Sequence, residues 1–301
     1  MVSPLAVRSA VVDRFDGQPW TQGSSSRTAK GPGRGDRIMS ETRPFLEHWT
    51  SIDPERLTRY ETMYQWSAAA EAFYAPAEIG PGQVVADFGC GPGHTAIEFA
   101  RRVEQTGHVH ALDINAEFIK RTRARAEAAG FADRITAHLL ATDRLPLPDA
   151  ALDRITARNK IIYVRDPVST FEEFRRVLKP GGIAHAIEGD WSLTAVEPLA
   201  AAEWMALVDA ASWAFRIPEI GRKLYGIARR AGFSKVAIQV LTKPDAEGRL
   251  LGMIRTIADY ARDSGSLEPK RIDAVLQTVE RGISEGTYLA VAPQFLVTAT
   301  R

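Results

Sequence analysis

The sequence predicts an α/β fold, a doubly wound and mostly parallel sheet. Two observations carry that expectation. The first is residues 84–95, VVADFGCGPGHT: a short apolar run closing on Asp87 and Phe88, glycines at 89, 91 and 93, then the start of an amphipathic helix. The second is the alternation beyond that loop. Apolar strands alternate with helical patterns through HVHALDIN, a helix that Gly130 ends, a strand near 135–140, LDRITARN, a helix over 168–178 and then GIAHAIEGD. Parallel strands joined by crossover helices read this way. With 301 residues, 45% apolar and 25% charged, the chain has the composition of one large globular domain with additions.

Taken in order, the chain begins with a stretch unlike the rest. Residues 1–38 hold six basic side chains (Arg8, Arg14, Arg27, Lys30, Arg34, Arg37) against Asp13, Asp16 and Asp36, and include GSSSRTAKGPGRGD. This composition predicts a disordered tail, with Met39 as an alternative start. From Ser40 structure is expected. Asp53 before Pro54 and Glu55 is a helix start, and the helical pattern beyond it places Tyr60, Met63, Tyr64 and Ala68 on one face, with Trp66 and Phe73 nearby.

The glycine loop narrows the ligand. A dinucleotide fingerprint needs its third glycine at position 94, which here is His94, and a phosphate-gripping GK[ST] is absent. The loop therefore suits a nucleoside without a pyrophosphate, and a nicotinamide-dependent oxidoreductase is disfavoured. Asp113 ends the second strand, where a carboxylate can hold a ribose diol. Asn115 reads as the cap of the next helix, and Cys90, the chain's one cysteine, as a small packing residue. Pro180, Gly181 and Gly182 are expected to make a reversal into the fifth strand.

Taken together, DFGCGPG, Asp113, ATDRLPLPD and RVLKPGG resemble the motifs of the class I S-adenosylmethionine-dependent methyltransferases, over roughly residues 80–190 and in the small-molecule (UbiE-like) branch. The resemblance implies a Rossmann-like, seven-stranded sheet whose last strand is antiparallel. It implies lid helices over 39–80, a cofactor-binding domain over 81–301, and helical inserts at about 191–217 and 243–286. The implied cofactor is S-adenosylmethionine, held by Asp87, Gly89, Cys90, Gly91, Gly93, Asp113 and Asn159, with Ile114 against the adenine. Ala141 stands where the family has an acid, so Thr142 and Asp143 are the candidates at that turn.

Methyl transfer to an O, N or C nucleophile of a small organic molecule, such as a secondary metabolite, is the implied activity; a non-methylating use of the same fold, such as cyclisation, is the alternative. Tyr60, Tyr64, Trp66, Arg158 and Trp191 are candidates for the acceptor site. Tyr163 occupies the place of a histidine in many relatives and is a poor base, which leaves Glu188 and Asp190 at the end of the fifth strand; all three are carried as catalytic candidates. Histidines without ligand spacing predict no metal site. A net charge of +1 without a basic run argues against nucleic acid, and no apolar run reaches the roughly 20 residues of a membrane helix. A single cysteine fits a reducing cytoplasm. The inserts read either as a substrate cover or as the interface of a homo-oligomer.

Overall fold

The sheet has the order β3-β2-β1-β4-β5-β9-β7. Its strands are β1 (Val84–Phe88), β2 (His108–Asp113), β3 (Ile135–Leu139), β4 (Leu152–Arg158), β5 (Leu178–Gly189), β7 (Lys235–Leu241) and β9 (Gln294–Thr300). The computed structural model describes residues 49–142 and 144–301. The expected tail at 1–38, the opening of the lid segment at 39–48, and Asp143 lie outside the described residues. Strands β1 to β5 pair in parallel, and β9 runs antiparallel to both β5 and β7, as the seven-stranded expectation required. The chain reverses its winding between β1 and β4, and ligands bind such sheets at the carboxyl ends of the strands flanking that point.

Both faces of the sheet are covered, which is why β1 is buried from Val85 to Phe88. On one face α3 (His94–Arg102) and α4 (Ala116–Ala128) pack Ile97, Phe99, Ile119 and Ala126 against Val85, Val109 and Ala111. On the other, α5 (Pro167–Val177) and α7 (Ile220–Arg230) bring Phe171, Phe174, Leu224 and Ile227 to Ile155, Ala184 and Val297. Asn115 caps α4 by accepting from the Phe118 amide at 3.0 Å, as expected.

Two sequence expectations change. The KPGG segment is not a free reversal, because Leu178 already pairs with Leu152 and the next pair is Arg154 with Ile183, so residues 179–182 form a bulge inside β5. The first insert is not wholly helical. Residues Ala195–Glu197 form β6, antiparallel to β8 (Leu289–Val291). Beside this ribbon, α6 (Ala201–Ala211), α8 (Leu251–Ser264) and α9 (Pro269–Glu285) pack Leu207, Val208, Ile257, Ala258, Val275 and Val279 together, so the two inserts build one cap. At the other end of the chain, α1 (Pro54–Met63) and α2 (Ala68–Tyr74) precede β1. No helix among the described residues is long and apolar enough to cross a membrane.

Candidate active site

A cleft enclosing about 770 Å³, open mouth included, lies over the ends of β1, β2 and β4. Its floor is the glycine loop. Amides of Gly89 and Cys90 donate to the Leu112 carbonyl at 2.7 and 3.1 Å, which turns the chain sharply after β1. Gly93 has φ 89° and a Cβ there would stand 2.7 Å from Thr122 Oγ1, so glycine is needed for packing. Gly91 has φ 51° and a Cβ there would meet nothing within 4 Å. That position faces open cleft.

Asp113 is bound into this loop. Its Oδ2 accepts from the Gly91 amide at 3.0 Å and its Oδ1 from the Asn115 amide at 2.9 Å, leaving each oxygen a further lone pair for a ligand. Asp87 is buried at the end of β1, where Oδ1 accepts from Thr156 Oγ1 at 3.3 Å and Oδ2 has no partner. Burial pushes its carboxyl up to about 7; the Thr156 bond opposes this, the charge of Asp113 adds to it and Arg158 counters it. Arg158, at the end of β4, lies over the Phe73 ring at 4.8 Å and its Nε also lacks a partner. Next to it Asn159 holds φ 51°, a conformation costly for a residue with a side chain and common at ligand sites.

The opposite wall is aromatic. Trp49, Tyr60, Tyr64, Tyr74, Phe118 and Tyr163 line the cleft, with Trp49 and Tyr163 ring centroids 4.2 Å apart and Tyr60 5.8 Å from Tyr64. Burial raises the phenol of Tyr163 well above its ordinary value and that of Tyr74 to about 12, so both stay protonated at neutral pH. Beyond the wall, the Tyr60 hydroxyl meets that of Tyr260 in α8 at 3.2 Å, linking lid to cap.

The structure gathers Asp87, Gly89, Cys90, Gly91, Asp113, Ile114, Asn159, Tyr60, Tyr64, Arg158 and Tyr163 around this one cleft. Gly93 supports the loop from behind. Other candidates lie elsewhere. Asp190 is sealed by Arg222, whose Nε and Nη2 donate to its two oxygens at 2.5 and 2.7 Å, and its Oδ1 also accepts from the Ser192 and Leu193 amides. It is a cap and an ion pair, with no face on the cleft. Glu188 stands behind the cleft wall: its Oε1 accepts from the Lys160 and Ile161 amides at 2.7 and 2.5 Å, and burial pushes its carboxyl up to about 8. This carboxyl shapes the turn that presents Asn159, Lys160 and Tyr163.

Trp66 stacks on Tyr74 and under Arg102, and Trp191 stacks on Phe215 at 6.0 Å, so neither lines the cleft. Thr142 is exposed and bonds the Arg144 carbonyl at 3.3 Å. Six cleft residues go beyond the sequence expectation: Trp49, Tyr74, His94, Thr95, Phe118 and Lys160. The first-turn position of His94 and Thr95 in the loop helix is a signal for two of them.

A family model described as a methyltransferase domain matches residues 85–182, the segment that supplies the loop, Asp113, Arg158 and the β5 bulge. An uncharacterized 37.1 kDa protein of transposon TN4556 from Streptomyces fradiae is 31% identical over 180 residues, covering 58% of this chain and 51% of that protein. The methyltransferase GfsG of Streptomyces halstedii is 32% identical over 154 residues, covering 48% of this chain and 50% of its own. The chain thus spans about half the length of these relatives. Among solved structures, the phosphoethanolamine N-methyltransferase 2 of Haemonchus contortus with S-adenosyl-L-methionine is similar with a TM-score of 0.59 and 16% identity, covering 86% of this chain and 59% of that one; it speaks to the fold. Residues 85–182 thus match a methyltransferase domain, and they lie in a seven-stranded, mostly parallel sheet of Rossmann-like type.

Proposed function

We propose that the cleft binds S-adenosylmethionine and that the chain transfers its methyl group to a small organic acceptor. The observation that carries this reading is a pair of orphaned polar atoms of opposite charge type: Asp87 Oδ2 and Arg158 Nε, both buried without partners and both on the cleft. A buried group in this state costs stability unless a ligand completes it. An amino acid zwitterion does so, its ammonium facing Asp87 and its carboxylate facing Arg158. Asp113 would hold the ribose diol and Ile114 the adenine edge, while Gly91 leaves the backbone bare where the nucleoside lies.

When bound, S-adenosylmethionine supplies an electrophilic methyl on a cationic sulfur. The chain's own part is positioning and exclusion of water. Trp49, Tyr60, Tyr64 and Tyr163 close the cleft with π-faces that stabilise nearby positive charge. Among the described residues the carboxylates on the cleft, Asp87 and Asp113, are both taken up by the cofactor, and the protonated phenols of Tyr74 and Tyr163 do not serve as bases. The wall therefore suits an uncharged, largely apolar acceptor whose nucleophile needs no carboxylate base: an electron-rich carbon, an unprotonated amine or an already acidic hydroxyl. The cap of α6, α8 and α9, joined to the lid through Tyr260 and Tyr60, supports reading the inserts as a cover for that acceptor.

Purified protein incubated with methyl-labelled S-adenosylmethionine and a panel of phenols, quinols, amines and polyenes tests this. Label appearing in an acceptor with matching S-adenosylhomocysteine supports transfer. Cofactor that binds and yields no S-adenosylhomocysteine across the panel argues instead for a non-methylating role.

A further inference from the structure

The lid helix is fastened at two points that the acceptor chemistry does not use: exposed Arg59, which reaches Asp259 of α8 at 3.4 Å, and the more deeply placed Glu61. Glu61, the neighbour of Tyr60 in α1, turns its carboxylate away from the aromatic wall and meets bases from two elements behind the glycine loop. Arg121 Nη1 donates to Oε1 at 3.1 Å and Arg125 Nη2 to Oε2 at 2.6 Å, both from α4, while His94 Nε2 at the start of α3 lies 3.0 Å from Oε2. Arg125 does more than pair with the lid. Its Nε donates to the Pro92 carbonyl at 3.1 Å, between Gly91 and Gly93, so one guanidinium grips the lid carboxylate and the glycine loop together. The Glu61 side chain is 20% exposed. At that depth ion pairs are only partly screened, and a hydrogen-bonded cluster with one acid and several bases holds a defined geometry.

We infer that Glu61 is a positioning residue that clamps the lid over the bound cofactor, a role that rests on the cofactor reading above. The place of the clamp has two consequences. Tyr60 and Tyr64 travel with α1, so the acceptor wall is complete only while Glu61 is seated, and the cofactor must be loaded first. Release of the cofactor requires the lid to lift, which breaks the contacts to Arg121, Arg125 and His94. Residence time of the cofactor is then the quantity Glu61 controls.

The test is stopped-flow release of S-adenosylmethionine from the loaded protein, followed by tryptophan fluorescence during displacement with excess S-adenosylhomocysteine, with melting temperature measured alongside. Glu61→Gln keeps the shape and removes the charge. It should speed release at least about fivefold, the scale expected when charge-assisted contacts present only in the closed state are lost. Arg125→Gln should do the same, and Glu61→Asp should recover part of the slow release. Glu117→Gln, which removes another partner of Arg121 without touching the lid, should stay within about twofold of the unmodified protein. Unchanged release in both Glu61→Gln and Arg125→Gln, with only a lowered melting temperature, would overturn the clamp and leave a fold-stabilising cluster. Failure of the unmodified protein to bind the cofactor would overturn the cofactor reading and the clamp with it.

Discussion

At the scale of single residues, the glycine loop separates packing from binding. A methyl group at 93 would collide with Thr122, whereas one at 91 enters open cleft. Gly93→Ala should therefore lower the melting temperature substantially. Gly91→Ala should show only the modest backbone strain of its positive φ, about 1–2 kcal/mol, while abolishing most cofactor affinity. Thermal melts and cofactor titrations of the two variants check the contrast; equal effects on both readouts would remove Gly91 from the ligand surface.

Asp87 makes the site sensitive to pH. Its folded value, about 7, is above the ordinary carboxylate value of 3.8, so the folded protein holds a proton that the unfolded chain has already lost. Its contribution to stability therefore falls as pH rises from about 4 to about 7, and Glu188, raised to about 8, extends the fall. Binding runs the other way. A ligand ammonium needs the ionised carboxylate, so cofactor affinity should rise with pH through about 7 and then level, and Asp87→Asn should flatten that rise without removing the share of the stability slope owed to Glu188. Calorimetric titrations from pH 6 to pH 8, roughly one unit either side of the midpoint, measure it.

At the scale of elements, the cap helices share one core with a face of the sheet. Leu207 of α6 is fully buried, and truncation to alanine should cost about 2–5 kcal/mol. Because no cap residue from α6, α8 or α9 lines the cofactor cleft, Leu207→Ala should leave S-adenosylmethionine affinity unchanged below its lowered melting temperature. A parallel loss of affinity would mean that the cap shapes the cofactor site directly.

Across the whole molecule, local signals explain what the sequence made legible. The glycine loop, the buried strands and the cap residues Asp53 and Asn115 declare themselves within a few residues of where they act. That Asp87, Gly91 and Asp113 come to one cleft was legible for the same reason, since they sit at or just beyond the ends of such strands. What was not legible depends on distant partners. The three-residue β6 exists because β8, far along the chain, pairs with it, and no local pattern reports such a partner. Asp190 reads as a free strand-end acid until Arg222, 32 residues on, is seen to occupy it. Phe118 looks like an ordinary core position of α4, and only the lid reveals that it faces the cleft.

Every functional conclusion depends on the cleft being a site for S-adenosylmethionine, organised by Asp113. Isothermal titration of the ligand into the unmodified protein and into Asp113→Ala tests it most directly. One site per chain is expected, weakened by more than about 1 kcal/mol in the variant through loss of hydrogen bonds to a carboxylate. Equal affinity in the two proteins, or tight binding of NAD in place of S-adenosylmethionine, would contradict it.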